Sequence, residues 1–151
     1  MLEAIKKNQS EKIKFTILTG DPESFKNKMN EKEIESGNIV VKSVKPEELK
    51  QYYQKSNYGF VLRDDILVNR VACPTKIIEY LAYGIIPIVL SEKIGDFEDY
   101  GYEYLQLGDF NDQLRPCKSE KNIQVMKQVF QNNNFNLKEK ILKLERKKFK
   151  G

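Results

Sequence analysis

The chain has 151 residues, 40% of them hydrophobic and 32% charged, which is one domain's worth of core and too much apolar material for a disordered chain. No run approaches the roughly 18 consecutive apolar residues of a membrane span, and Met1–Leu2–Glu3 does not open a signal peptide, so a soluble cytoplasmic domain is expected. Histidine is absent and only Cys73 and Cys117 occur; this excludes a Ser/His/Asp triad, a Cys/His dyad and a His-bearing zinc site, and both thiols are expected to be reduced.

The net charge of +4 is local in origin. The segment 138–151 holds seven Lys/Arg against two Glu, so the first 137 residues are almost neutral. A nucleic-acid binder spreads its cations over a face with interleaved aromatics, and none is expected here. The tail reads as the solvated side of an amphipathic helix, with peripheral membrane contact as the other use of such a segment.

In chain order, Leu2–Asn8 reads as a helix. Ile13–Thr19 is a strand ending at the turn signal Gly20–Asp21–Pro22, and Glu23–Lys32 is helical. Asn38–Val44 is a second strand. Pro46–Ser56 is a helix opened by proline and by Glu47 and Glu48, which complement the positive end of its dipole. Tyr58–Arg63 is a third strand. Pro74–Tyr83 is a helix with proline at its start and Gly84 at its stop. Ile86–Leu90 is a fourth strand and Tyr102–Leu107 a weaker fifth. Two further helices follow: Glu120–Gln131, with Ile123, Met126, Val129 and Phe130 expected on one face, and Leu137–Phe149. Strands alternating with helices, and strands that are almost continuously apolar, predict βαβ units and a mostly parallel sheet buried on both faces. The expected fold is α/β, a three-layer Rossmann-like domain over 1–151, with a core of 1–110 and C-terminal helices in 119–151.

Ligands in such folds bind beyond the carboxyl ends of the strands. The loop after the third strand is the most informative, because it runs from Arg63 through Asp64, Asp65 and Arg70 into a helix start at Pro74. A helix N-terminus and arginines both suit phosphate. Glu79 shares a helix face with Thr75, where its carboxylate could accept from vicinal hydroxyls; an exposed Lys76–Glu79 ion pair is the competing reading. The turn Ile94-Gly95-Asp96-Phe97 either lines a sugar pocket or simply reverses the chain. No P-loop or G-x-G-x-x-G motif occurs.

The stretch 74–89, PTKIIEYLAYGIIPIV, resembles the P-x-K-x-x-E-Y-[LM]-A-x-G signature, with its following P-[VI], of GT-B glycosyltransferases. It is most similar to the C-terminal, donor-binding half of the retaining, group 1 type, which includes sucrose-phosphate and bacterial surface-polysaccharide synthases. The run 46–53, PEELKQYY, and the strand around Ser56-Asn57-Tyr58-Gly59-Phe60-Val61 agree in order, so the resemblance spans roughly residues 2–110. It implies that Glu79 binds the donor ribose. It implies that amides around Cys73, Pro74, Thr75 and Lys76 hold the diphosphate, and that Lys45 meets the nucleobase. Arg63 and Lys76 would be the positive groups assisting departure of the diphosphate, with neither metal nor cofactor required.

The sequence also departs from the family pattern. Val71 stands where many members carry a second glutamate. The family's first strand, its Gly-rich loop and the acceptor domain would precede Met1, so the chain is expected to be an isolated donor domain whose partners are a nucleotide-diphosphate sugar and that N-terminal acceptor domain. The implied function is transfer of a sugar to a glycan or lipid-linked acceptor in surface polysaccharide synthesis. The alternative is a non-catalytic Rossmann-like nucleotide-binding or regulatory module.

Overall fold

The computed structural model describes residues 1–66, 75–94 and 97–131. Along the chain run α1 (Leu2–Lys7), β1 (Phe15–Leu18), α2 (Pro22–Glu31), β2 (Ile39–Lys42), α3 (Leu49–Lys55, entered through a 3-10 turn over Pro46–Glu48), β3 (Tyr58–Val61), α4 (Thr75–Ala82), β4 (Ile86–Val89) and β5 (Leu105–Gln106). A further helix, α5, covers residues 120–131. The expected helix Leu137–Phe149 lies outside the described residues. Local signals explain the starts: Asp21 caps α2 by accepting the Ser24 N–H at 3.0 Å, with Pro22 in the first turn.

Among the described residues every strand pairing is parallel, as the βαβ reading requires. The strands form two sheets, β1–β2 and β3–β4–β5, where one continuous sheet was expected. Within β4 the side chains alternate between two cores. Ile88 packs with Phe15, Ile39 and Phe110, whereas Val89 packs with Val61, Ile77, Leu81 and Met126. All four residues of β4 are buried. A strand buried on both faces between helix-bearing layers is the three-layer α/β arrangement.

Gly84 ends α4 as the sequence predicts, at φ 64°. Its N–H bonds Leu81 O at 3.0 Å while the Ile85 N–H reaches back to Tyr80 O at 2.9 Å, the two bonds of a Schellman motif. Gly59 has a different reason to be glycine: the Tyr80 ring lies directly on it, and a Cβ there would fall 2.3 Å from the ring.

The fifth strand is shorter than the expected Tyr102–Leu107, and Pro87 explains it. In the β4 register, Ile86 and Ile88 turn their backbone groups toward β3, so Pro87 and Val89 face β5. Pro87 has no N–H to offer, and pairing begins only at Ile88↔Leu105. Asn122 of α5 fills the interrupted stretch. Its Nδ2 donates to Ile85 O at 3.2 Å and to Glu103 O at 2.9 Å, and its Oδ1 accepts the Glu103 N–H at 2.7 Å. Asn122 is wholly buried.

That anchor also corrects the expected orientation of α5. Of the expected face, Met126 is buried, Val129 packs against the core and Ile123 is half-buried, but Phe130 is 55% exposed, and Asn122 and Val125 join the inward side. The helix presents Asn122 inward because its amide satisfies the buried Ile85 carbonyl and the partly buried N–H and carbonyl of Glu103, whereas Phe130 can stay at the surface. Ser119 caps α5, its hydroxyl accepting the Asn122 N–H at 3.1 Å and donating to the Glu103 carboxylate.

Candidate nucleotide-binding site

Four of the expected site residues in the described regions cluster around β3 and α4. Arg63 stands two residues beyond the carboxyl end of β3 and is half-buried, its N–H bonding Val61 O at 3.2 Å. Thr75 and Lys76 are exposed in the first turn of α4, and Glu79 lies one turn further along, half-buried. Cys73 and Pro74 lie outside the described residues, as do Val71 and Arg70. Lys45 is exposed in the turn after β2, which belongs to the other sheet, and its N–H is bound to the Glu48 carboxylate at 2.9 Å. Among the described residues no hydrogen bond or ion pair joins any two of Lys45, Arg63, Lys76 and Glu79, so the Lys76–Glu79 pair of the competing reading is not formed.

Glu79 is held by Tyr53, a residue the sequence reading did not single out. The Tyr53 hydroxyl on α3 donates to Glu79 Oε2 at 2.7 Å, which leaves Oε1 as the carboxylate oxygen for a second donor. The Tyr53 ring meets Tyr80 edge-on at 5.7 Å and Tyr83 at 5.6 Å, so α3 and α4 join through an aromatic cluster. Burial, then the hydrogen bond to Glu79, pushes the Tyr53 phenol well above its ordinary range. Burial likewise pushes Tyr80 up to about 12. Lys118, preceding α5, donates to Tyr53 O at 2.7 Å, and its partial burial lowers the pKa of its ammonium.

The signal for Tyr53 was present in the sequence as helical spacing. Leu49, Tyr52, Tyr53 and Ser56 fall on one side of α3, and all four are half-buried. The partner was not legible, because 26 residues separate Tyr53 from Glu79. Nothing in the local sequence marked Lys118.

Two other loop residues take structural roles. Ile94 and Phe97 are buried in the core beside Val89, with Phe97 edge-on to Tyr102 at 6.4 Å. Gly95 and Asp96 lie outside the described residues. Cys117 is an exposed free thiol near the Tyr58 hydroxyl, which donates to Arg115 O at 2.9 Å.

The arrangement offers an exposed Thr75 and Lys76 in the first turn of α4, a carboxylate one turn further in, and an arginine two residues beyond β3. Chemically it can meet an anion at one end and accept from a hydroxyl at the other. Among the described residues there is no group of three or more Asp, Glu, Cys or His that could hold a metal, and no helix long and apolar enough to cross a membrane. No family model, curated protein or solved structure matches this chain.

Proposed function

We propose that this domain binds the nucleotide part of a nucleotide-diphosphate sugar, as the donor half of a GT-B-type glycosyltransferase working in the cytoplasm on a glycan or lipid-linked acceptor. The observation that carries the reading is Glu79: a carboxylate one turn into the helix that follows β3, with one oxygen fixed by Tyr53 and the other available. In this reading Oε1 accepts from a ribose hydroxyl. Thr75 and Lys76 at the helix start, with Arg63 beside β3, meet the diphosphate. Charge development on a departing diphosphate is then met by fixed positive groups, the form of catalysis that needs neither histidine nor metal. The motif over 74–89 is the sequence support, and the parallel β3–β4 pair with α4 between them is the fold support.

One observation favours a second reading. The Tyr53–Glu79 hydrogen bond is itself a sufficient reason for a carboxylate at position 79, since it ties α3 to α4. A non-catalytic module would keep it for stability alone.

Titration of the domain with UDP, GDP and ADP, followed by backbone amide NMR, separates the two. The donor reading expects shifts among the residues between 63 and 79 for one of the bases, with affinity falling about tenfold in Glu79→Gln, the loss of one hydrogen bond to a charged group. A folded domain showing no shifts at millimolar nucleotide would leave the structural role of Glu79 as the remaining one.

A further inference from the structure

The two sheets end in edges that no described strand covers. In β1 the pairing with β2 uses the backbone groups of Phe15 and Ile17, which leaves those of Thr16 and Leu18 pointing the other way. In β3 the pairing with β4 uses Asn57, Gly59 and Val61, which leaves Tyr58 and Phe60 pointing away from β4. No hydrogen bond joins β1 to β3. A cavity of about 490 Å³ occupies the gap, and both edge strands line it.

The lining has two characters, because side chains of each strand alternate between the faces of the sheet. On one face stand Phe15, Tyr58, Phe60 and Phe110. The Phe110 ring bridges the two sheets there, 6.2 Å from Phe15 and 5.5 Å from Phe60, both edge-on. On the other stand Thr16, Val40 and Lys42, with Tyr52 and Lys55 of α3 above them. Four lysines, Lys12, Lys14, Lys42 and Lys55, line the cavity, and among the described residues no acidic side chain does. Among the described residues none of the four forms an ion pair. Lys42 instead sits over the Tyr52 ring at 4.6 Å.

We propose that the gap between β1 and β3 is a docking slot for one extended segment of a partner polypeptide, which enters as a β-strand with apolar side chains toward Phe110 and acidic side chains toward Lys42 and Lys55. The occupant completes two open edges at once, converting two small sheets into one, and its backbone supplies the ladder while the alternating pattern supplies the selectivity. A segment of four or five residues spans strands of this length, about 3.3 Å per residue. The slot is independent of the nucleotide reading, since none of Lys45, Arg63, Lys76 and Glu79 lines it.

A blocked peptide Glu-Val-Glu-Val-Glu-Val-Glu, titrated into the whole chain with hydrogen exchange read by NMR, tests this directly. The amides of Thr16, Leu18, Tyr58 and Phe60 are expected to slow at least tenfold while those of Phe15 and Ile17 are unchanged. The same peptide with proline at its centre lacks an N–H and is expected to bind at least tenfold more weakly. The double variant Lys42→Glu with Lys55→Glu, at one half-buried and one exposed position and checked for folding by circular dichroism, should lose the Glu-Val peptide and gain its charge-reversed counterpart Lys-Val-Lys-Val-Lys-Val-Lys. Absence of binding by the folded chain, or binding that leaves those four amides unprotected, overturns the proposal. So does protection of the same amides that rises with protein concentration alone, which would make a second copy of this chain the occupant.

Discussion

At the residue scale, three positions hold the centre of the domain for three distinct reasons. Gly59 is a contact requirement, Gly84 a backbone requirement and Asn122 a polar one. Replacing Gly59 with alanine drives a Cβ into the Tyr80 ring and is expected to cost about 1–3 kcal/mol, the range for overpacking a filled core. Gly84→Ala keeps a left-handed φ that alanine resists and presses on Ser119 O at 3.0 Å, for a loss of about 1–2 kcal/mol. Gly20→Ala, where nothing lies within 4 Å, should stay within about 0.5 kcal/mol and serves as the control in the same urea titration. The largest loss belongs to Asn122→Leu. It orphans the buried Ile85 carbonyl and the partly buried N–H and carbonyl of the exposed Glu103, and about 2–3 kcal/mol is expected, the upper part of the range for one buried unsatisfied group.

At the element scale, α4 is a short helix whose position depends on its neighbours. Eight residues are too few to be stable alone, so its register comes from Ile77 and Leu81 in the core, the Schellman stop, and the tie from Glu79 to α3. Tyr53→Phe keeps the ring contacts with Tyr80 and Tyr83 and deletes only the hydroxyl. The expected loss is about 1 kcal/mol, toward the low end for a bond to a charged group because Glu79 is only half-buried. If Glu79 also meets a ribose, the same variant weakens nucleotide binding by releasing the carboxylate from its fixed rotamer, which calorimetric titration measures separately from stability. In α5 the inward face keeps Met126 and Val129 of the expected pattern, gains Asn122 and Val125, and leaves Phe130 at the surface, because the amide of Asn122 must reach Ile85 and Glu103.

At the scale of the whole molecule, the tyrosines set an alkaline limit on stability. Burial pushes Tyr58 and Tyr80 up to about 12, and Tyr53 and Tyr102 are shifted in the same direction mainly by burial. Above the ordinary phenol value near 10 the unfolded chain releases these protons while the folded chain keeps them. Stability is therefore full below pH 10 and falls as pH rises past it. Denaturant midpoints that stay flat across that range would contradict the buried phenols, and tyrosinate absorbance should show four late-titrating groups. The order and type of elements were legible in apolar runs of strand length, the Pro and Gly brackets of α4 and the turn at Gly20–Asp21–Pro22, because those signals act over a few residues of contiguous chain. The sequence also marked Glu79, Thr75 and Lys76 as one helix face. The tertiary structure decided what lies far apart in sequence: that Tyr53 grips Glu79, that Asn122 mends the ladder Pro87 interrupts, and that the sheet opens between β1 and β3. The first two balance the desolvation of a polar group against a partner 19 or more residues away, the third rests on how strands distant in sequence pair, and no local pattern encodes either.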